Sequence, residues 1–186
     1  EADDVLGTIA HQVKGKKDID VIIASGDMDT LQLVDNKRVR VYTQKKGIKE
    51  VVLYDEKGVE ERFGFGPKLL TDYKGLRGDP SDNIPGIAGI GEKTATILIQ
   101  NFGTIEEMYK ALKKSREKFE KAGIKPRIIG LLEDNKEEAE FSKMLATIRL
   151  DVPIDFKIPE NKWRDALDVE KILMLFSELG FRTLSQ

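Results

Sequence analysis

Val5, Leu6, Ile9, Ala10 and Val13 recur at helical spacing, so residues 2–14 read as an amphipathic helix that Gly15 closes. Residues 19–24 form an apolar, mostly β-branched run. That pattern predicts a strand buried on both faces, as in parallel sheets. Residues 29–34 predict a short helix. Val39, Val41 and Thr43 alternate as a second strand, and residues 50–54 form a third. Turns are expected at Lys46-Gly47 and Lys57-Gly58.

Past residue 66 the period becomes helical. Pro67 suits a first helical position, and Leu69, Leu70, Tyr73 and Leu76 carry a helix to about Gly78. After a Pro- and Gly-rich loop, residues 92–101 predict a helix stopped by Gly103. Thr104 with Glu107 forms a capping box for the next helix, to about Lys114. Residues 126–134, 136–147 and 168–179 read as helices, and 148–156 as extended chain. The expected organisation is an α/β half over residues 1–66 and a mostly helical half over residues 67–186.

The chain has 186 residues and a 40% hydrophobic fraction, enough for a sizeable core. No apolar run reaches the roughly 20 residues of a membrane helix. The first residues do not resemble a signal peptide, so a cytoplasmic location is the expectation. The absence of cysteine excludes disulfides, zinc–thiolate sites and a cysteine nucleophile.

Seven carboxylates fall in three short clusters: Glu1, Asp3 and Asp4; Asp27 and Asp29; Asp79 and Asp82. If they converge, their mutual repulsion calls for cations. Each cluster has an ordinary alternative: first-turn helix acids, a turn or cap, and loop chemistry. Asp27 and Asp29, however, follow an apolar strand at its carboxyl end, where α/β sheets bind ligands. If the chain stays extended there, alternation aims both the same way. Hard oxygen donors without cysteine suit Mg²⁺ or Mn²⁺ rather than Zn²⁺. The single His11 lies on the first helix and is not expected to be a ligand.

The formal net charge of −2 argues against a polyanionic partner only until these acids are set aside, which leaves a positive remainder. Basic residues also bunch, at Lys45, Lys46 and Lys49 and again at Lys113, Lys114, Arg116, Lys118, Lys121, Lys125 and Arg127. Local patches of this kind matter more to a polyanion than the total does.

The segment from Pro85 to Thr94 imitates a P-loop but departs from it. Glu92 precedes Lys93-Thr94, and no buried strand leads into Gly86. A helix-hairpin-helix fits better. Gly86, Gly89 and Gly91 allow close backbone approach, and amides at the next helix start, near Lys93 and Thr94, can hold phosphate oxygens. Ile87 and Ile90 are expected to plug the hairpin into the core. Such contacts grip DNA without reading its sequence.

Three stretches carry a family resemblance: Glu1 to Val5, Gly26 to Leu33, and Leu76 to Gly86 running on to Ala95. They resemble the 5′-nuclease (flap endonuclease-like) family, and within it the 5′–3′ exonuclease domain of bacterial DNA polymerase I. The resemblance implies a PIN-like α/β fold with a largely parallel sheet, plus a helix-hairpin-helix region that binds duplex DNA. A K⁺ ion on the hairpin carbonyls is often part of it. It also implies two-metal hydrolysis of a phosphodiester at a 5′ end or flap. Glu1, Asp3 and Asp4 then serve the first metal region, Asp27 and Asp29 border both, and Asp79 and Asp82 lean to the second.

Members of that family begin with a further strand and a helical arch ahead of the position matching Glu1. A preceding segment is therefore an expected partner, and apolar surface is expected to be exposed or covered by another molecule. A fused polymerase domain is a further expectation. Two other readings fit the same residues: a catalytically inactive duplex-binding module, and a small-molecule phosphoesterase.

Overall fold

The computed structural model describes the backbone of residues 1–16, 18–36, 38–46 and 50–183, and their side chains except at 45 and 46. The turn expected at Lys46-Gly47 and the side chains of Lys45, Lys46 and Lys49 lie outside what is described. Two compact units divide the chain, Glu1–Ile154 and Asp155–Gln186.

The first unit opens with α1 (Ala2–Val13) and β1 (Val21–Ala24). A 3-10 helix (Met28–Leu33), β2 (Val39–Lys46), β3 (Glu50–Tyr54) and α2 (Glu56–Phe63) follow. A 3-10 turn (Pro67–Leu69) runs directly into α3 (Leu70–Arg77). Next come α4 (Glu92–Phe102), α5 (Ile105–Lys114), α6 (Glu117–Lys121), α7 (Pro126–Asp134) and α8 (Lys136–Ala146). The second unit holds a 3-10 turn (Trp163–Ala166) and α9 (Val169–Glu178), which Asp168 caps by accepting the Lys171 amide at 3.1 Å. Among the described residues no helix is long and apolar enough to cross a membrane.

The sheet has the order β1-β2-β3, with β1 parallel and β3 antiparallel to β2. Register aligns Ile23, Val41 and Tyr54 on one face, and all three are buried in the core with Leu31 and Val34. The opposite face carries Ile22 (55% exposed), Tyr42 (40%) and Leu53 (44%). Burial of β1 on both faces was the expectation, and it is wrong. Within the described residues a layer covers only the inner face, and a strand's own sequence cannot supply the second layer. The exposed apolar surface that was expected is found here.

Two helices escaped the sequence pattern. Lys57-Gly58 is not a turn: Asp55 accepts the Gly58 amide at 2.9 Å, and that cap draws both residues into the first turn of α2. The short, charged α6 is held by one anchor, the fully buried Phe119, which stacks on Phe102 with ring centroids 3.8 Å apart. Residues 148–154 run without strand pairing, in keeping with the extended expectation. Side chains tether them instead: Val152 N–H donates to Thr8 Oγ1 at 3.2 Å, and Arg149 N–H to Asp4 Oδ1 at 2.8 Å.

The candidate metal and nucleic-acid site

Asp27 caps the Met28–Leu33 helix, its Oδ1 accepting the Asp29 amide at 2.9 Å. The chain therefore turns after Asp27 instead of staying extended, and the turn itself brings Asp29 back toward its neighbour. Asp79 and Asp82 are carried by a tight loop. Asp79 and Ile84 close it with two backbone hydrogen bonds, of 2.8 and 2.9 Å, and Asn83 takes a left-handed conformation at φ 56°. One oxygen each from Asp29, Asp79 and Asp82 lie within 4.8 Å of one another.

Beside this trio opens a cleft of about 310 Å³, lined by Glu1, Asp3, Asp4, Asp27, Asp29 and Asp82, with Leu145 to Ile148 as the other wall. All seven predicted acids thus gather in one region, although the structure does not give them equal freedom. Asp4 is already engaged by the Arg149 amide. His11 is exposed on α1 and does not line the cleft.

Electrostatics reflect the crowding. Burial raises the Asp3 pKa above the ordinary carboxylate value, and the nearby charges of Asp27, Glu1, Asp4 and Asp82 push the same way. Asp29 is also raised, by burial first, against the pull of Lys74. Sequence reasoning missed Lys74, which reaches from α3 into the trio. Its ammonium contacts Asp29, lies 2.7 Å from Asp79 and 3.7 Å from Asp82, and is 14% exposed. Burial works against that ammonium, but its hydrogen bonds and attraction to Asp29 and Asp79 outweigh it and hold the pKa above the usual lysine value. Asp79 is lowered: hydrogen bonds from Lys74 and Ser81 overcome its burial. An all-oxygen donor set at this spacing fits a hard divalent cation.

The hairpin begins where the loop ends. Ile87 and Ile90 are buried as expected. Gly86 has φ 61°, and a Cβ there would sit 2.5 Å from the Arg77 carbonyl carbon and the Gly78 Cα. Its amide donates to the buried Ser142 Oγ of α8 at 3.0 Å. Gly86 is therefore a packing glycine whose N–H is already used, and Ser142 is a second residue the sequence did not single out. The amides of Gly89, Gly91, Glu92, Lys93 and Thr94 have no protein acceptor among the described residues. Gly91 is the N-cap of α4, and Lys93, on its first turn, is exposed, with Thr94 next to it half-buried. In the basic stretch, Arg116 pairs with Glu133 at 3.5 Å and Lys121 with Glu117 at 2.7 Å, which neutralises part of it.

Residues 1–64 match the family model described as 5′–3′ exonuclease, N-terminal resolvase-like domain. Residues 65–168 match that of the 5′–3′ exonuclease, C-terminal SAM fold. The chain belongs to the 5′–3′ exonuclease family. DNA polymerase I of Bacillus caldotenax is 39% identical over 184 residues, which is 98% of this chain and 20% of that protein. DNA polymerase I of Bacillus subtilis is 38% identical over 189 residues, covering 99% and 20%. The chain thus spans about a fifth of the length of the curated relatives it matches. Among solved structures, the 5′-exonuclease of bacteriophage T5 with bound zinc superposes with a TM-score of 0.64 at 24% identity, covering 78% of this chain and 49% of that one. A T5 flap endonuclease in a pseudo-enzyme-product complex with DNA and metal ions gives 0.64 at 23%. At these identities the likeness establishes a shared 5′–3′ exonuclease fold.

Proposed function

We propose that this chain is the DNA-cleaving part of a structure-specific 5′-nuclease. It hydrolyses phosphodiester bonds at or near 5′ ends and flaps, in DNA replication or repair. The observation that carries this reading is the trio Asp29, Asp79 and Asp82, with carboxylate oxygens within 4.8 Å, one short loop away from a hairpin whose Gly89 and Gly91 amides have no protein acceptor among the described residues. The donor set suits two divalent ions, Mg²⁺ or Mn²⁺, which when bound supply charge stabilisation for the attacking and leaving oxygens. A K⁺ ion at the hairpin belongs to the same reading.

The chain's own residues divide the work. Asp29, Asp79 and Asp82, with Asp27, Asp3, Asp4 and Glu1 around the cleft, hold the cations. Gly89, Gly91, Lys93 and Thr94 grip the duplex backbone, so the nuclease selects structure and not sequence. Gly86 supports that grip through packing. Asp27→Ala or Asp29→Ala abolishes cleavage of a 5′-flap duplex in Mn²⁺ and leaves duplex binding within several-fold. Equal loss of both, with a lowered melting temperature, would assign these acids to folding. Binding without cleavage in the unsubstituted polypeptide would leave an inactive duplex-binding module. The reading concerns the matched segment, within whatever preceding segment and polymerase domain accompany it.

A further inference from the structure

The acid trio contains its own counter-ion. An ammonium has three donors, and Lys74 directs its group at three carboxylates, contacting Asp29, lying 2.7 Å from Asp79 and 3.7 Å from Asp82. These are the three residues whose oxygens stand close enough together to ligate one cation. Ammonium and divalent ion therefore compete for the same oxygens. At contact distance a single and a double positive charge also repel strongly in a partly buried site.

Lys74 differs in this from a surface ion pair. It is 14% exposed, it rises from the middle of α3, and its partners come from two separate stretches of chain. Lys143, which among the described residues also has two acidic partners from different elements, faces Asp72 and Glu106, neither of which lines the cleft.

We propose that Lys74 is a displaceable resident cation. In the metal-free protein it holds Asp29, Asp79 and Asp82 together, and it is expelled from them when a divalent ion binds. It thereby sets the threshold metal concentration at which the trio loads. The side chain is equipped for this, since four methylenes let the head swing while the stem stays on α3. The proposal rests on the metal-dependent reading of the trio, and the test separates the two.

Mn²⁺ binding is measured by calorimetry at fixed pH on the unsubstituted chain and on Lys74→Met, Lys74→Arg and Asp79→Asn. Thermal melts are run in parallel, with and without Mn²⁺. Lys74→Met binds Mn²⁺ tighter by about tenfold or more, because no cation has to leave. Without metal it melts below the unsubstituted chain, and Mn²⁺ restores most of the difference. Lys74→Arg keeps the metal-free melting temperature close to the original. Lys74→Gln carries the same affinity expectation and covers a methionine variant that fails to fold. If the neutral variants bind Mn²⁺ no tighter while Asp79→Asn weakens it, the trio is a metal site and Lys74 is a fixed strut, which overturns the proposal. If neither the unsubstituted chain nor any Lys74 variant takes up Mn²⁺, the metal reading of the trio falls, and the proposal with it.

Discussion

Replacing Lys143 with methionine removes the cation that α8 sets against Asp72, and the geometry gives the size of the loss. Lys143 Nζ lies 2.6 Å from Asp72 Oδ1 and 2.8 Å from Glu106 Oε1, with the Asp72 side chain 2% and Lys143 22% exposed. Methionine preserves the stem, so little cavity forms and the change is mainly electrostatic. What stays behind is a buried carboxylate with one donor, the Ile105 amide at 2.8 Å. Breaking a buried ion pair from one side costs about 3–5 kcal/mol. The surviving amide and the partial exposure of Lys143 bring the expected loss to about 2–4 kcal/mol. At this chain length that lowers the melting temperature by roughly 5–15 °C.

The loss depends on pH. Burial already raises the Asp72 pKa despite Lys143, and without the lysine it rises further. A carboxyl raised in the folded state favours folding below its unfolded pKa, and that contribution is lost as pH rises through the folded value. The deficit of the variant is therefore small near the unfolded carboxylate pKa of about 3.9 and widens toward neutrality. Urea denaturation at an acid and a neutral pH, compared through the midpoints, measures it. A loss under about 1 kcal/mol at neutral pH, or a deficit that grows on acidification, refutes the reasoning.

Two further substitutions probe the hairpin. Gly86→Ala must hold a left-handed φ of 61° and a Cβ pressed on the Arg77 carbonyl. It should cost about 2 kcal/mol or more and weaken duplex binding with it; an unchanged melting temperature would contradict the packing role. Lys93→Ala, at an exposed position on α4, should leave stability unchanged. It should weaken binding equally for duplexes of different sequence and reduce the salt slope by about one, read by fluorescence anisotropy at several salt concentrations. A sequence-dependent loss would mean that Lys93 reads bases.

What the sequence disclosed was mostly local. Thr104 and Glu107 form the expected capping box, at 3.3 and 3.2 Å, because both partners lie within one turn. The helices at 92–102, 105–114 and 126–134 carry their own start and stop signals. The convergence of the acids was legible from residue type, since so much negative charge next to a hairpin has few other uses. Lys74 was not legible. Among 31 lysines and arginines nothing local marks the one that points inward, and its partners lie as far as 45 residues away. Ser142 was hidden for the same reason, being 56 residues from the amide it accepts. The bare face of the sheet depends on what packs against it, which no strand encodes alone.

α3 ties these distant contacts together within a single short helix. Asp72 on its first turn fixes it to the Ile105 amide and to α8 through Lys143. Two residues on, Lys74 engages Asp29 and Asp79. The Leu76 carbonyl accepts the Ile87 amide of the hairpin at 2.9 Å, and Gly78, just past the last turn, backs onto Gly86. From Lys74 to Gly78 the chain rises only about 6 Å along the helix axis. Asp79 follows Gly78 directly, so this arm of the trio and the hairpin cannot move apart without bending the last turn of α3 or breaking the buried Ile87–Leu76 hydrogen bond, whether or not Lys74 holds the trio. On the nuclease reading, a backbone grip that ignores sequence needs such a fixed spacer. The bond to be cut is then chosen by its distance from the gripped phosphates, and that distance is built into α3.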